Sequence, residues 1–448
     1  MVWFSRMRCV ALAATVLAVV AGGVAAQDTP NATLITGARI FDGSSPDLIE
    51  GMDVLVEGNT ISAIAADIEA PDGATVIDAT GRTLMPGMID NHWHSLFATI
   101  PQAQLLTSDI AYINIHAAKA DEEALMRGFT SVRDVGGNVF GLKKAIDEGT
   151  LVGPRIYPSG AYISQTAGHG DFRGPNDVPE NPGAPLDYLQ RNGETLIADG
   201  VPEVMKRTRE VLRMGASQIK VMAGGGVSSL YDPLDTTQYT FEEMKAIVDV
   251  ARTWNTYVAV HANTDAAIRQ SIDAGVLCIE HAFLINEDTV KLAVEKGVWL
   301  SLEPILDDED AIPFPDPVSR AKFVAVTDGT DAVYTMAKKY GAKIAWGTDT
   351  LFDPELAKKQ GKMVTKLKRW FEPYEILKMV THDNAELLKL SGPRDPYPGK
   401  LGVVETGALA DLILVDGNPL EDIDLVADPE ANFDLIMKDG VVYKNTLQ

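Results

Sequence analysis

The sequence predicts a closed parallel α/β barrel, a TIM-like (β/α)8 fold, joined to a small β-sandwich built from both chain ends. Three observations predict it. Between residues 87 and 390, eight short apolar segments alternate with helical patterns, the signature of a parallel sheet with crossover helices. Before 87 and after 390 the chain reads instead as short strands punctuated by tight-turn residues. Finally, His92, His94, Lys220, His261, His281 and Asp349 fall in or at the carboxyl ends of the central segments, the face on which such barrels carry function. An open doubly wound sheet is the competing arrangement.

Residues 1–26 stand apart from the fold. Arg6 and Arg8 precede an apolar run from Val10 to Val20, and Val24-Ala25-Ala26 supplies a small-residue cleavage site, so the segment reads as a signal peptide. The mature chain is therefore expected to be exported, periplasmic or secreted, with no stable membrane association after cleavage. Only Cys278 then remains of the two cysteines, which excludes an internal disulfide. Without Arg6 and Arg8 the chain carries 37 basic and 63 acidic side chains, a formal charge of −26, which argues against nucleic acid or an anionic membrane as partner.

Residues 27–86 form the first part of the expected β-domain. "ATLITGARIFDG" is a strand closed by Asp42-Gly43, and "DVLVEGNTISAIA" is a hairpin turning at Gly58-Asn59. Residues 391–448 complete it with "GALADLILVDGNPL" and the hairpin "MKDGVVYKN". The barrel, 87–390, is built from "GMIDNHWH", "FTSVRDVGG", "PRIYPSGAYIS", "SQIKVMAGGG", "TYVAVHANT", "VLCIEHAFL", "GVWLSLEPI" and "AKIAWGTDT". Between the fifth and sixth of these, "TDAAIRQSIDAG" spaces Ile268 and Ile272 by one helical turn and stops at Gly275. The connection from about 160 to 200 is long and rich in Gly, Pro and Asn, as lids and unstructured loops are.

The chemistry concentrates at strand ends. Residues i and i+2 of a strand share a face, so His92 and His94 can address one ion. Imidazole and carboxylate suit zinc and similar divalent metals. Each residue alone has a structural reading: a strand-end histidine is commonly a hydrogen-bonded scaffold residue, and Asp349 in "GTDT" would make a helix cap. Lys220 resists such a reading, because an ammonium inside a barrel strand is costly unless paired. The agreement of all six on one face points to a metal site. The glycines 224–226 lack the Lys-Ser/Thr of a phosphate loop and suit close backbone approach to the site. Cys278, three residues before His281, reads as core packing.

With "PGMIDNHWH", "QIKVMAGGG", "VAVHANT", "CIEHAF", "GTDT" and "GALADLILVDGNPL", the chain resembles the metal-dependent amidohydrolase superfamily over nearly all of its mature length. "GHGD", "IKVMAGGGVSS" and Tyr231 resemble its prolidase- and imidazolonepropionase-related branch, which includes bacterial Xaa-Pro-type dipeptidases and ochratoxin-hydrolysing amidases. The resemblance implies two divalent ions, zinc foremost, with carbon dioxide bound to Lys220 as a bridging carbamate. One ion would take His92, His94, Lys220 and Asp349, and the other Lys220, His261 and His281. It implies Asp349 as the catalytic proton carrier, with Tyr231 and His169 positioning the substrate. The expected activity is hydrolysis of a dipeptide or N-acyl amino acid, ochratoxin-like amides included, by a homo-oligomeric enzyme. A cyclic-amide hydrolase and a noncatalytic exported metal-binding protein are the alternatives.

Overall fold

A computed structural model of the chain describes residues 32–447 apart from 175, 178–184, 230 and 315, so the expected signal peptide lies outside the described residues. Eight barrel strands run in the order read from the sequence: β1 (Met88–Trp93), β2 (Phe129–Asp134), β3 (Arg155–Pro158), β4 (Ile219–Met222), β5 (Val258–Thr264), β6 (Cys278–Leu284), β7 (Trp299–Leu302) and β8 (Lys343–Trp346). Their ladders are parallel throughout. Ile219, Val221, Val260, Ile279, Leu300 and Ile344 are buried against the surrounding helices, as the apolar runs require.

The third segment departs from the expected continuous strand. Gly160, at φ +69°, turns the chain after Pro158, and a second piece, Tyr162–Ser164, resumes beyond it. The first piece pairs with β2, the second with β4. The long connection after it is also more ordered than expected. It contains a helix, Tyr188–Asn192, and a strand, Thr195–Ile197, that pairs parallel with Tyr162–Ser164.

Side chains close the seam between β8 and β1. The Asn384 carboxamide donates to the carbonyls of Ile89 (2.7 Å) and Trp346 (2.9 Å) and accepts from the Trp346 amide (2.9 Å). Asp90 accepts from the Thr348 amide and hydroxyl at 3.1 and 2.7 Å, fixing the start of the loop that carries Asp349.

Strands from the two chain ends form two further sheets. One holds Ala32–Thr36, Asp53–Glu57, Thr60–Ala65 and Thr75–Asp78. In the other, Arg82–Pro86 lies antiparallel to Leu412–Asp416, followed outward by Phe433–Lys438 and Val441–Asn445. Ile35, Val54, Ile61, Leu84, Leu412, Leu414 and Leu435 share one core between them. Arg155, at the start of β3, reaches Asp411 (2.9 Å) and so ties the barrel to this layer. No helix among the described residues is long and apolar enough to cross a membrane.

Candidate metal centre

The residues singled out in the sequence converge on the carboxyl face of the barrel. His92 lies within β1 and His94 just beyond it; Lys220 lies within β4, and His261 and His281 in β5 and β6. Asp349 follows β8 and donates its amide to the His92 carbonyl at 2.9 Å. Consecutive residues Glu280 and His281 both reach the centre, although neighbours on a regular strand point to opposite faces. The alternation breaks because His281 and Ala282 adopt φ of +75° and +53°. With Asp349 at +47°, the site holds three residues in a region that costs about 1–3 kcal/mol each.

Asp349 Oδ1 lies 3.3 Å from His92 Nε2 and 3.4 Å from His94 Nε2. Ligand atoms of a tetrahedral zinc ion, each about 2.1 Å from the metal, are about 3.4 Å apart, so these contacts match the edges of such a polyhedron. His94 Nδ1 is buried without a hydrogen-bond partner among the described residues. The imidazoles of His92 and His281 lie 4.9 Å apart between centroids, and those of His261 and His281 4.6 Å. His261 Nε2 is 3.1 Å from the Gly225 carbonyl. A proton on Nε2 makes that bond and leaves Nδ1 as the lone-pair donor. Donor type and spacing fit a divalent metal.

The charges form one system. Burial and Lys220 oppose ionisation of His92, but Asp349, Glu280 and Glu303 outweigh them and push its pKa up to about 9. Burial brings His94 down to about 4 despite Asp349. For Asp349 the imidazoles overcome burial and hold the carboxyl well below the usual carboxylate range. Burial lowers the pKa of Lys220, and its ammonium has no hydrogen bond or ion pair among the described residues.

Beneath these residues lies a polar layer that sequence reasoning missed. Glu303, just past β7, accepts from His281 Nδ1 through Oε2 (2.9 Å), and its Oε1 lies 2.9 Å from His92 Nδ1. Glu280 Oε2 sits on the other side of that nitrogen at 3.0 Å. His92 Nδ1 is thus held between two carboxylates, aligned squarely with neither. Arg133 neutralises Glu280 with contacts of 2.8 and 2.9 Å and also donates to the Asn91 carbonyl. Cys278 packs with Tyr257 and Trp299 as expected, yet its thiol also donates to Glu280 at 3.1 Å. Such carboxylates orient imidazole ligands and fix their tautomer.

Above the centre, a cavity is walled by Phe97, Tyr162, Phe172, Phe283, Phe323 and Phe352, with Asn263 and Ser228 as polar points. His169 lines it, stacked on His261 at 4.1 Å, with Nδ1 2.6 Å from Ser229 Oγ and 3.3 Å from Asp232 Oδ2. Gly226 must be glycine here, since a Cβ would lie 2.1 Å from the His169 ring. Tyr231 is 53% exposed and is not among the residues lining the cavity. Its loop is fastened by buried Lys322, which donates to the carbonyls of Gly226 (3.0 Å), Ser229 (2.9 Å) and Asp232 (2.6 Å).

The profile of the amidohydrolase family matches residues 83–444. Ochratoxinase of Aspergillus niger is 33% identical, over 94% of this chain and 88% of its own. A prolidase solved with N-methylphosphonate-L-proline is 35% identical and superposes with a TM-score of 0.85, covering 93% of this chain and 100% of that one. A Xaa-Pro dipeptidase with methionine in its active site gives 29% and 0.80, with 93% and 100% covered. Family profile and full-length likeness agree with the barrel: the chain belongs to the amidohydrolase family and is a hydrolase of amide bonds.

Proposed function

We propose that the chain hydrolyses the amide bond of a dipeptide or N-acyl amino acid at a binuclear zinc-type centre. The observation that carries this reading is the convergence of four histidines, Asp349 and Lys220 on the floor of an aromatic cavity. His92, His94, Lys220 and Asp349 would hold one ion, and Lys220, His261 and His281 the other. When bound, the ions would supply a hydroxide near neutral pH and polarise the scissile carbonyl. Lys220 is suited to carry the carbamate. Burial favours its neutral amine, which is the form that adds to carbon dioxide with release of a proton, and the resulting carbamate anion would be paired by the metal ions.

Asp349 serves as the base, because the surrounding imidazoles keep it ionised. It takes the proton of the attacking water and returns it to the departing amine. His169, steadied by Asp232 and Ser229, faces the cavity and is placed to orient the substrate's carbonyl or carboxylate. The aromatic walls select an apolar, bulky acyl group or side chain and exclude water from the reacting bond. Ochratoxinase and the prolidases supply parallel cases of such amides.

The test is chelation, dialysis and metal add-back, followed by assay against dipeptides, N-acyl aromatic amino acids and cyclic amides. Activity should vanish and return with zinc, manganese or cobalt. Full turnover by metal-free protein would overturn the mechanism, and turnover confined to cyclic amides would move the substrate class. We further propose export with cleavage after Ala26, supported by Arg6, Arg8 and the apolar run that follows them. N-terminal sequencing of protein recovered outside the cytoplasm checks it, and an uncleaved Met1 would refute it.

A further inference from the structure

A small side pocket, with room for a single small polar head group, opens off the catalytic cavity, and the two share Phe97, Tyr162, Phe172 and Phe352 as walls. At its far side stands Glu194, 3% exposed. The backbone fixes it firmly: its amide bonds to the Leu189 carbonyl at 3.0 Å, and the strand Thr195–Ile197 begins immediately after it. Its carboxyl, by contrast, is poorly satisfied, with the Tyr162 phenol close enough to feel its charge. Oε1 is buried and without a partner, and among the described residues no lysine, arginine or histidine forms an ion pair with the side chain. The charge that acts on it is that of Asp187, of the same sign. Burial, reinforced by Asp187, pushes its pKa up to about 7.

An unpaired buried carboxylate is costly, and one in a cleft is a functional candidate. The surroundings restrict what would pair with it. A divalent metal needs about six or more oxygen ligands, and besides Glu194 the walls offer only the Gln102 carboxamide and the Tyr162 hydroxyl. A neutral apolar group would leave the carboxyl unsatisfied. Aromatic faces with one carboxylate at the end are instead the complement of an organic cation, which the rings attract through their quadrupoles.

We propose that Glu194 is the anionic end of a subsite for a basic side chain, an alkylammonium or guanidinium, on the amide substrate. This rests on the amide-hydrolase reading for its kinetic consequence but not for its binding. Phe97, Tyr162, Phe172 and Phe352 flank the aliphatic stem as it leaves the catalytic cavity.

Two measurements on the metal-loaded full chain test it. The first is calorimetric binding of n-butylammonium, with the neutral isostere n-butanol as control, to wild type, Glu194→Gln and Glu194→Asp. The cation should bind at least about fivefold more tightly to wild type than to Glu194→Gln, and Glu194→Asp should retain part of that difference; equal binding to all three overturns the subsite. The second compares dipeptides that differ only by lysine or norleucine, at either position. Wild type should prefer lysine at one position by about tenfold or more in kcat/KM, and the ratio should approach one in Glu194→Gln. Hydrolysis without lysine preference and without cation binding removes the subsite and keeps the hydrolase. Glu194-dependent cation binding with no hydrolysis of any amide keeps the subsite and removes the hydrolase. Should Glu194→Gln not fold, absence of lysine preference in wild type still overturns the proposal.

Discussion

Replacing Glu303 by glutamine should weaken metal binding without touching any proposed ligand. Glu303 is fully buried, hydrogen-bonds His281 through Oε2 and sets Oε1 against His92 Nδ1 as an electrostatic contact, each at 2.9 Å. A carboxylate accepts on both oxygens, whereas a carboxamide accepts on one side and donates on the other. In Glu303→Gln one imidazole Nδ1–H therefore meets an N–H. It must lose its acceptor or move its proton to Nε2, the nitrogen that would bind metal. Losing one hydrogen bond to a charged group costs about 1.5–3 kcal/mol, which is roughly 10–150-fold in an equilibrium constant. That agrees with the roughly 10–100-fold typical of a lost outer-sphere partner. Glu280 still flanks His92 at 3.0 Å, so the lower half of the range is expected. The assay is competition of apoprotein against a chromogenic chelator for zinc, with circular dichroism to show that the fold is kept. A folded Glu303→Gln whose zinc affinity stays within about threefold of wild type would refute the claim that this carboxylate orients both histidines.

Asp349→Asn keeps a coordinating oxygen but not the proton-carrying carboxylate, so amide turnover should fall by about a hundred to ten-thousand fold while activated esters lose less; equal, near-native rates on both would make Asp349 a bystander. Lys322→Met strips three backbone carbonyls of their donor, and at about 1 kcal/mol each should cost about 3 kcal/mol in urea unfolding and raise KM more than it lowers kcat. An unchanged urea midpoint would show that the loop around Tyr231 does not depend on it. Asp134→Asn should alter the pH dependence of stability, because burial, aided by Asp121, pushes the Asp134 carboxyl up to about 8 from an ordinary 3.8. Between those values the folded state binds the proton that the unfolded state has released, so this group destabilises the fold increasingly as pH rises and levels off above about 8, at roughly 1.4 kcal/mol per pH unit. The variant should therefore gain on wild type in denaturant titrations from pH 5 to 8, and parallel curves would contradict the assignment.

The eight barrel strands and the six chemical residues were legible because each is a local anomaly: an apolar run, or an imidazole, ammonium or carboxylate where the run ends. Glu280 and Glu303 carry the same anomaly, a carboxylate inside "CIEHAF" and "SLEPI", and the reasoning applied to Lys220 would have marked them. What no local pattern showed was their partner, since Arg133 lies 147 residues from Glu280. The break at Gly160 was hidden because Ser-Gly is as compatible with a strand bulge as with a turn. Asn384 was illegible for another reason: its partners at the seam are backbone groups of Ile89 and Trp346, and backbone leaves no mark in composition.

The seam also sets an order of events during synthesis. Residues 88–93 must wait for residue 384 before the barrel can close, and Arg82–Pro86 finds its antiparallel neighbour only when Leu412–Asp416 has been made. Contacts spanning some three hundred residues delay folding, because the loop-closure entropy is spent before they form. A ribosome adding about 5–20 residues per second needs on the order of half a minute to traverse that distance. Throughout that interval the nascent chain has no closed barrel, and of its two outer sheets only the one built from residues 32–78 has all its strands. The placement of the last strands thus defers closure of the barrel to the end of synthesis.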